Sequence, residues 1–97
     1  VRESDYQKHV MLEVRDRIPG CFVVKMELRQ GTPDLLILAG TFWAMLEVKV
    51  SSTAAVQPNQ KYYVDFFDQM SFAAFIFPEN ESEVLDALEQ AFERTRG

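Results

Sequence analysis

Ninety-seven residues, 47% of them apolar and 26% charged, suit one globular domain with its own core and exclude a disordered tail. The net charge of -5 runs against a nucleic-acid partner, but the segment from Glu79 onward carries six acids against two arginines, which leaves the first 78 residues near neutral at -1. No apolar run approaches the roughly 18 residues that span a bilayer, and VRESDYQKHV lacks an apolar signal core, so a cytoplasmic protein without a membrane partner is expected.

Ser4 followed by Gln7 predicts a capping box, and Tyr6, Val10, Val14 and Ile18 recur at spacing four until Pro19-Gly20, which predicts an amphipathic helix. Phe22, Val24, Met26 and Leu28 alternate with Val23, Lys25 and Glu27 as a half-buried strand does, and Arg29 to Thr32 forms the following turn. Leu35–Leu38 and Phe42–Val50 are two further strand-like runs around Ala39-Gly40-Thr41, completing an antiparallel meander. Pro58 suits the first turn of a second helix whose apolar side would be Tyr62, Tyr63, Phe66, Phe67 and Met70. The aromatic residues there exceed what one core stripe needs, so part of that side is a candidate dimer face and the rest is core. Phe72–Phe77, ended by Pro78, reads as a buried fourth strand, and Asn80 with Glu83 caps a last helix packed through Val84, Leu85, Leu88 and Phe92. No repeat, low-complexity segment or linker interrupts 1–97, so one domain is expected.

The chemistry follows from the hairpin. If Gly40-Thr41 is a two-residue type II′ turn, opposed residue numbers sum to 81, which sets Asp34 across from Glu47. Lys49, two residues on, projects from the same face as Glu47. Opposed like charges destabilise a strand pair, and a divalent cation between them removes the repulsion. With one Cys21 and one His9 the chain lacks zinc ligands, so a metal would be held by carboxylates, which favours Mg2+ or Mn2+. Asp34 and Glu47 are the candidate ligands, joined by the Val48 main-chain carbonyl, while Lys49 would orient a water and offset transition-state charge in phosphodiester hydrolysis. Read alone, Glu and Lys two apart on a strand are also a common solvated pair.

Gly31-Thr32-Pro33-Asp34 followed by Glu47-Val48-Lys49 resembles the PD-(D/E)XK nuclease superfamily. More narrowly, RESDYQ, GTPDLLIL, LEVK and QPNQKYYVDFF resemble its VRR-NUC family, with similarity from Glu3 to about Leu88. The resemblance implies an α/β, restriction-endonuclease-like αβββαβα core with a mixed four-stranded sheet flanked by helices. It implies Mg2+- or Mn2+-dependent, structure-directed cleavage of branched DNA such as four-way (Holliday) junctions, by a homodimer. It also gives Glu3 a place near the metal, directly or through water, with Glu13 as the alternative carboxylate and a favourable helix-dipole charge as the plain reading of Glu3. Gln60 matches a family glutamine that supports the site or contacts phosphate, although a solvent-facing helix residue fits as well. Lys25 and Arg29 are candidates for phosphate contact or for simple solubility, and His9 reads as a surface residue. The acidic last helix should lie away from a DNA-cutting face. Two other readings share this pattern: a catalytically idle nuclease-fold module that binds nucleic acid or a protein partner, and a plain interaction module.

Overall fold

The computed structural model describes residues 1–27 and 29–96; Leu28, expected in the first strand, lies outside the described residues. Its elements are α1 (Glu3–Arg17), β1 (Phe22–Lys25), β2 (Leu35–Ala39), β3 (Phe42–Val48), α2 (Pro58–Met70), β4 (Phe72–Ile76) and α3 (Glu81–Arg96). The strands form one sheet in the order β1-β2-β3-β4. β1 to β3 are an antiparallel meander, and β4 runs parallel to β3 because the α2 segment carries the chain back across the sheet. The expected mixed α/β architecture is therefore the observed one. Among the described residues, no helix is long and apolar enough to cross a membrane.

The two faces of the sheet are covered differently. Even-numbered residues of β3 and odd-numbered residues of β2 face α1 and α3, where Leu35, Ile37, Leu46, Val48 and Ile76 join Val10, Val14, Ile18, Leu85 and Leu88 in one continuous apolar core. The opposite face carries a smaller cluster of Met45, Val64 and Ala73, with Trp43, Leu36 and Phe67 around it. Here α2 packs over β3 and β4 and leaves β1 uncovered. Phe22, on this open side, is therefore 62% exposed, while Val23 turns into the main core. Sequence alternation separates the two faces of β1, but the coverage by α2 decides which one is buried.

Three local expectations are corrected. The carbonyl of Arg2 accepts from the N–H groups of Asp5 and Tyr6, so α1 begins before Ser4 and no capping box forms there. Asn80 precedes α3, but its side chain turns back, accepting from Phe77 N and donating to Phe75 O, so it braces the end of β4 rather than the helix N–H groups. The buried residue of α2 is Val64, with Tyr63 and Phe67 half-buried, whereas Tyr62, Phe66 and Met70 remain on the surface.

Candidate active site

Ala39 pairs with Phe42 across a Gly40-Thr41 turn, and Leu35 pairs with Leu46, so opposed numbers sum to 81 as the turn length requires. Gly40 has φ +62° and Thr41 a negative φ, the signature of type II′ rather than type I′. The same register carried one residue further sets Asp34 opposite Glu47. Both project to the α2 side, since the neighbours Leu35 and Leu46 point into the main core.

Glu47 is 2% exposed and Lys49 9%. The Glu47 carboxylate receives a hydrogen bond from Gln60 Nε2 at 3.2 Å, and Lys49 Nζ stands 4.0 Å from its Oε2. Lys49 Nζ donates to Gln60 Oε1 at 2.8 Å, an oxygen that also accepts from the Gln57 N–H at the start of α2. Gln60 is therefore fixed in orientation, with its amide nitrogen toward the carboxylate and its oxygen toward the ammonium. Asp34 Oδ2 accepts from the Val48 N–H at 2.8 Å. In a strand the N–H and C=O of one residue leave on the same edge, so the Val48 carbonyl also faces the Asp34 side.

One atom in this group has no protein partner: Glu47 Oε1 is buried without a hydrogen bond. A buried carboxylate oxygen is costly unless a proton or a cation satisfies it. Burial first, then the Asp34 charge and a hydrogen bond with Asp34, push the Glu47 carboxyl up from the usual value near 4.5 to about 8, against the lowering influence of Lys49. A proton on one carboxyl would let the two share a hydrogen bond; with both ionised, Oε1 has no donor in the protein. Two converging carboxylates with an orphaned buried oxygen, together with a main-chain carbonyl on the same edge, are an all-oxygen donor set that suits Mg2+ or Mn2+.

Glu3 is exposed at the first position of α1, close enough that its charge adds slightly to the upward push on Glu47. Glu13 stands ten residues along the same helix, roughly 15 Å away by helical rise, and groups instead with His9 and Glu81. In that group Glu81 accepts from Tyr6 OH at 2.9 Å and lies 3.0 Å from His9 Nε2, tying α1 to the start of α3. Lys25 is opposite Leu35 and so shares the main-core face of the sheet, with its side chain exposed at the edge, on the side away from Glu47. Arg29 is exposed in the turn before Asp34. The acidic α3 packs on the α1 side of the sheet, behind the strands that carry Glu47 and Lys49. Two surface depressions, along α3 at Asp86 and Glu93 and beside Cys21 and Gly40, lie elsewhere.

Asn59, inside the QPNQKYYVDFF segment but given no role by it, donates its side-chain N–H to the Gln30 carbonyl at 3.1 Å and packs on Gly31. The available signal was indirect: a Gly-Thr-Pro-Asp turn with a glycine that something must approach closely.

No family model matches the chain, and no curated protein matches it in sequence. Among solved structures, a VRR_NUC domain superposes with a TM-score of 0.61 at 24% identity, covering 86% of this chain and 92% of that one. A VRR_NUC domain protein superposes with a TM-score of 0.68 at 16% identity, covering 96% and 89% respectively. At such identities the likeness carries architecture: the chain has the VRR_NUC nuclease fold that its Gly31–Asp34 and Glu47–Lys49 segments resemble.

Proposed function

We propose that residues 1–97 act in the cytoplasm as a single metal-dependent endonuclease domain that hydrolyses phosphodiester bonds in branched DNA, four-way junctions among them, as a homodimer. The observation that carries this reading is Glu47 Oε1, buried and unpartnered beside Asp34 and Lys49. Asp34, Glu47 and the Val48 carbonyl would hold Mg2+ or Mn2+, with Glu3 joining from the first turn of α1. When bound, the ion supplies Lewis-acid activation of the attacking water and of the phosphoryl oxygen. Lys49, held by Gln60 beside Glu47, would orient the water and offset the charge that builds on the phosphoryl group. Arg29, exposed in the turn that Asn59 of α2 touches, would meet phosphate there; Lys25, on the other face, would do so only by reaching around the sheet edge. The exposed Tyr62, Phe66 and Met70 support the dimer.

The test is incubation of labelled duplex, single-stranded, flap and four-way DNA, with an RNA duplex beside them, in Mg2+, in Mn2+ and in chelator. Metal-dependent cuts at the four-way centre are expected. Cleavage that persists in chelator, or that Glu47→Gln leaves intact, would overturn the assignment.

A further inference from the structure

We propose that Asn59 is the positioning residue of this centre: it fixes the Gln30–Gly31 peptide and thereby sets where Asp34 meets Glu47. The inference rests on reading Asp34 and Glu47 as a metal centre.

Thr32 N donates to the Arg29 carbonyl at 3.1 Å and closes a four-residue turn around Gln30 and Gly31. Gly31 has φ +93° while Gln30 stays negative, which defines a type II turn. Types I and II share their end residues and differ by a flip of the central peptide. The carbonyl of that central peptide, Gln30 O, is the atom that accepts from Asn59 Nδ2. The flipped-back peptide would turn an N–H toward the amide donor and lose the bond. Contact with Gly31 is equally specific, because a Cβ there would lie 2.5 Å from Asn59 Nδ2 and 2.6 Å from its Cγ. The left-handed φ at Gly31 favours glycine by itself, and the absent Cβ leaves room for the Asn59 side chain.

From Gly31 to Asp34 the chain has little slack. Pro33 is fully buried with its φ fixed by the ring, the Asp34 carbonyl accepts from Met26 N at 2.7 Å, and its carboxylate accepts from Val48 N. Without the Asn59 tether the turn as a whole could shift against α2, and this stiff segment would carry that shift to Asp34. The next residue of α2, Gln60, grips Glu47 and Lys49. The first turn of α2 therefore holds both sides of the centre, Asn59 the Asp34 side and Gln60 the Glu47 side. Asn59 is only half-buried, so its amide does not fill the core.

The experiment is calorimetric titration of the metal-free full chain with MnCl2, for wild type, Asn59→Leu, Val64→Ala and Asp34→Asn. Asn59→Leu keeps the bulk and removes the donor, and it should weaken Mn2+ binding about tenfold, which is about 1.4 kcal/mol. Val64→Ala loosens α2 in the core and should lower the melting temperature with Mn2+ affinity within about twofold of wild type. Asn59→Ala, which removes the donor without adding bulk near Gly31, should repeat the Asn59→Leu loss and carries the test if that variant does not fold. Affinity retained within about twofold in Asn59→Leu overturns the positioning role while leaving the metal centre standing. Absence of any Mn2+ binding that Asp34→Asn removes overturns the centre itself, and the inference with it.

Discussion

The two faces of the sheet do different work with the same strands. On the α1–α3 side every inward residue of β3, Ala44, Leu46 and Val48 among them, is apolar and closed off from water. On the α2 side, one residue further along the same strand, Glu47 is just as buried but is a carboxylate, with Lys49 beyond it. The closed face stabilises the fold by removing apolar area from water. The α2 face gives up part of that gain to keep an ionisable group out of water beside a second one. Stability and chemistry are thus separated by the two-residue period of a strand, and substitutions at adjacent positions should separate them experimentally.

The largest effect is expected at Lys49. Lys49→Ala should lower the cleavage rate roughly a thousandfold, about 4 kcal/mol of barrier, with Mn2+ affinity nearly unchanged, because the ammonium acts on the water and the transition state and not on the ion. Single-turnover rates at saturating metal measure this. Cleavage kept within about tenfold of wild type would remove Lys49 from the reaction.

Leu46→Ala, three residues back and on the closed face, should do the reverse. Its side chain is completely buried, and truncation should cost about 3 kcal/mol of stability and lower the melting temperature by roughly 10 °C or more. Below its melting range the variant should cleave at close to the wild-type rate. A specific loss of activity in a folded Leu46→Ala would mean that the two faces are not separable.

On the open side, the stacked pair Tyr62 and Phe66, with ring centroids 6.0 Å apart, tests the proposed dimer. Tyr62→Ser with Phe66→Ser should weaken self-association by roughly thirtyfold, about 2 kcal/mol, and shift melting little. Light scattering across a concentration series reads both arms; a wild type that is monomeric at high micromolar concentration ends the dimer proposal.

The residues of the candidate site differ in how far the sequence alone could place them, and the reason is physical. Asp34 and Glu47 were legible because a two-residue turn leaves one register, and Gly40 marks that turn. Val23 and Phe22 could not be sorted, because alternation says that they face opposite ways and nothing local says that α2 stops short of β1. The aromatic side of α2 misled for a related reason: Tyr62 and Phe66 look like core, yet the smaller Val64 is the residue against the sheet. Gln60 and Asn59 depend on how α2 docks, and that docking is made by contacts to Glu47 and Gln30 that are distant in sequence.

The smallest effect on stability discriminates most sharply. Asp34→Asn should make the metal-free protein more stable, by about 1 kcal/mol near pH 8, while abolishing cleavage. The asparagine oxygen can still accept from Val48 N, and its new amide can donate to Glu47 Oε1, the oxygen that lacks a partner. The sign of the pH dependence follows from the raised Glu47 carboxyl. Its folded value, about 8, lies above the usual 4.5, so the native state holds more protons than the unfolded chain between those values. The stability this contributes is complete below about pH 4.5 and is lost as pH rises through about 8. Wild type should therefore melt at falling temperatures across that interval in chelator. In Asp34→Asn the fall should be shallower, because burial still raises Glu47 but the Asp34 charge is gone, so the gap between the two proteins should widen with pH. Mn2+ should reverse the order at pH 8, since the wild type gains more of the binding free energy of the ion. Thermal melts of both proteins at pH 5 and pH 8, with chelator and with MnCl2, measure every arm. A mutant that melts below wild type in chelator at pH 8 would mean that the Asp34 and Glu47 carboxylates do not repel one another, and the metal centre would lose its physical basis.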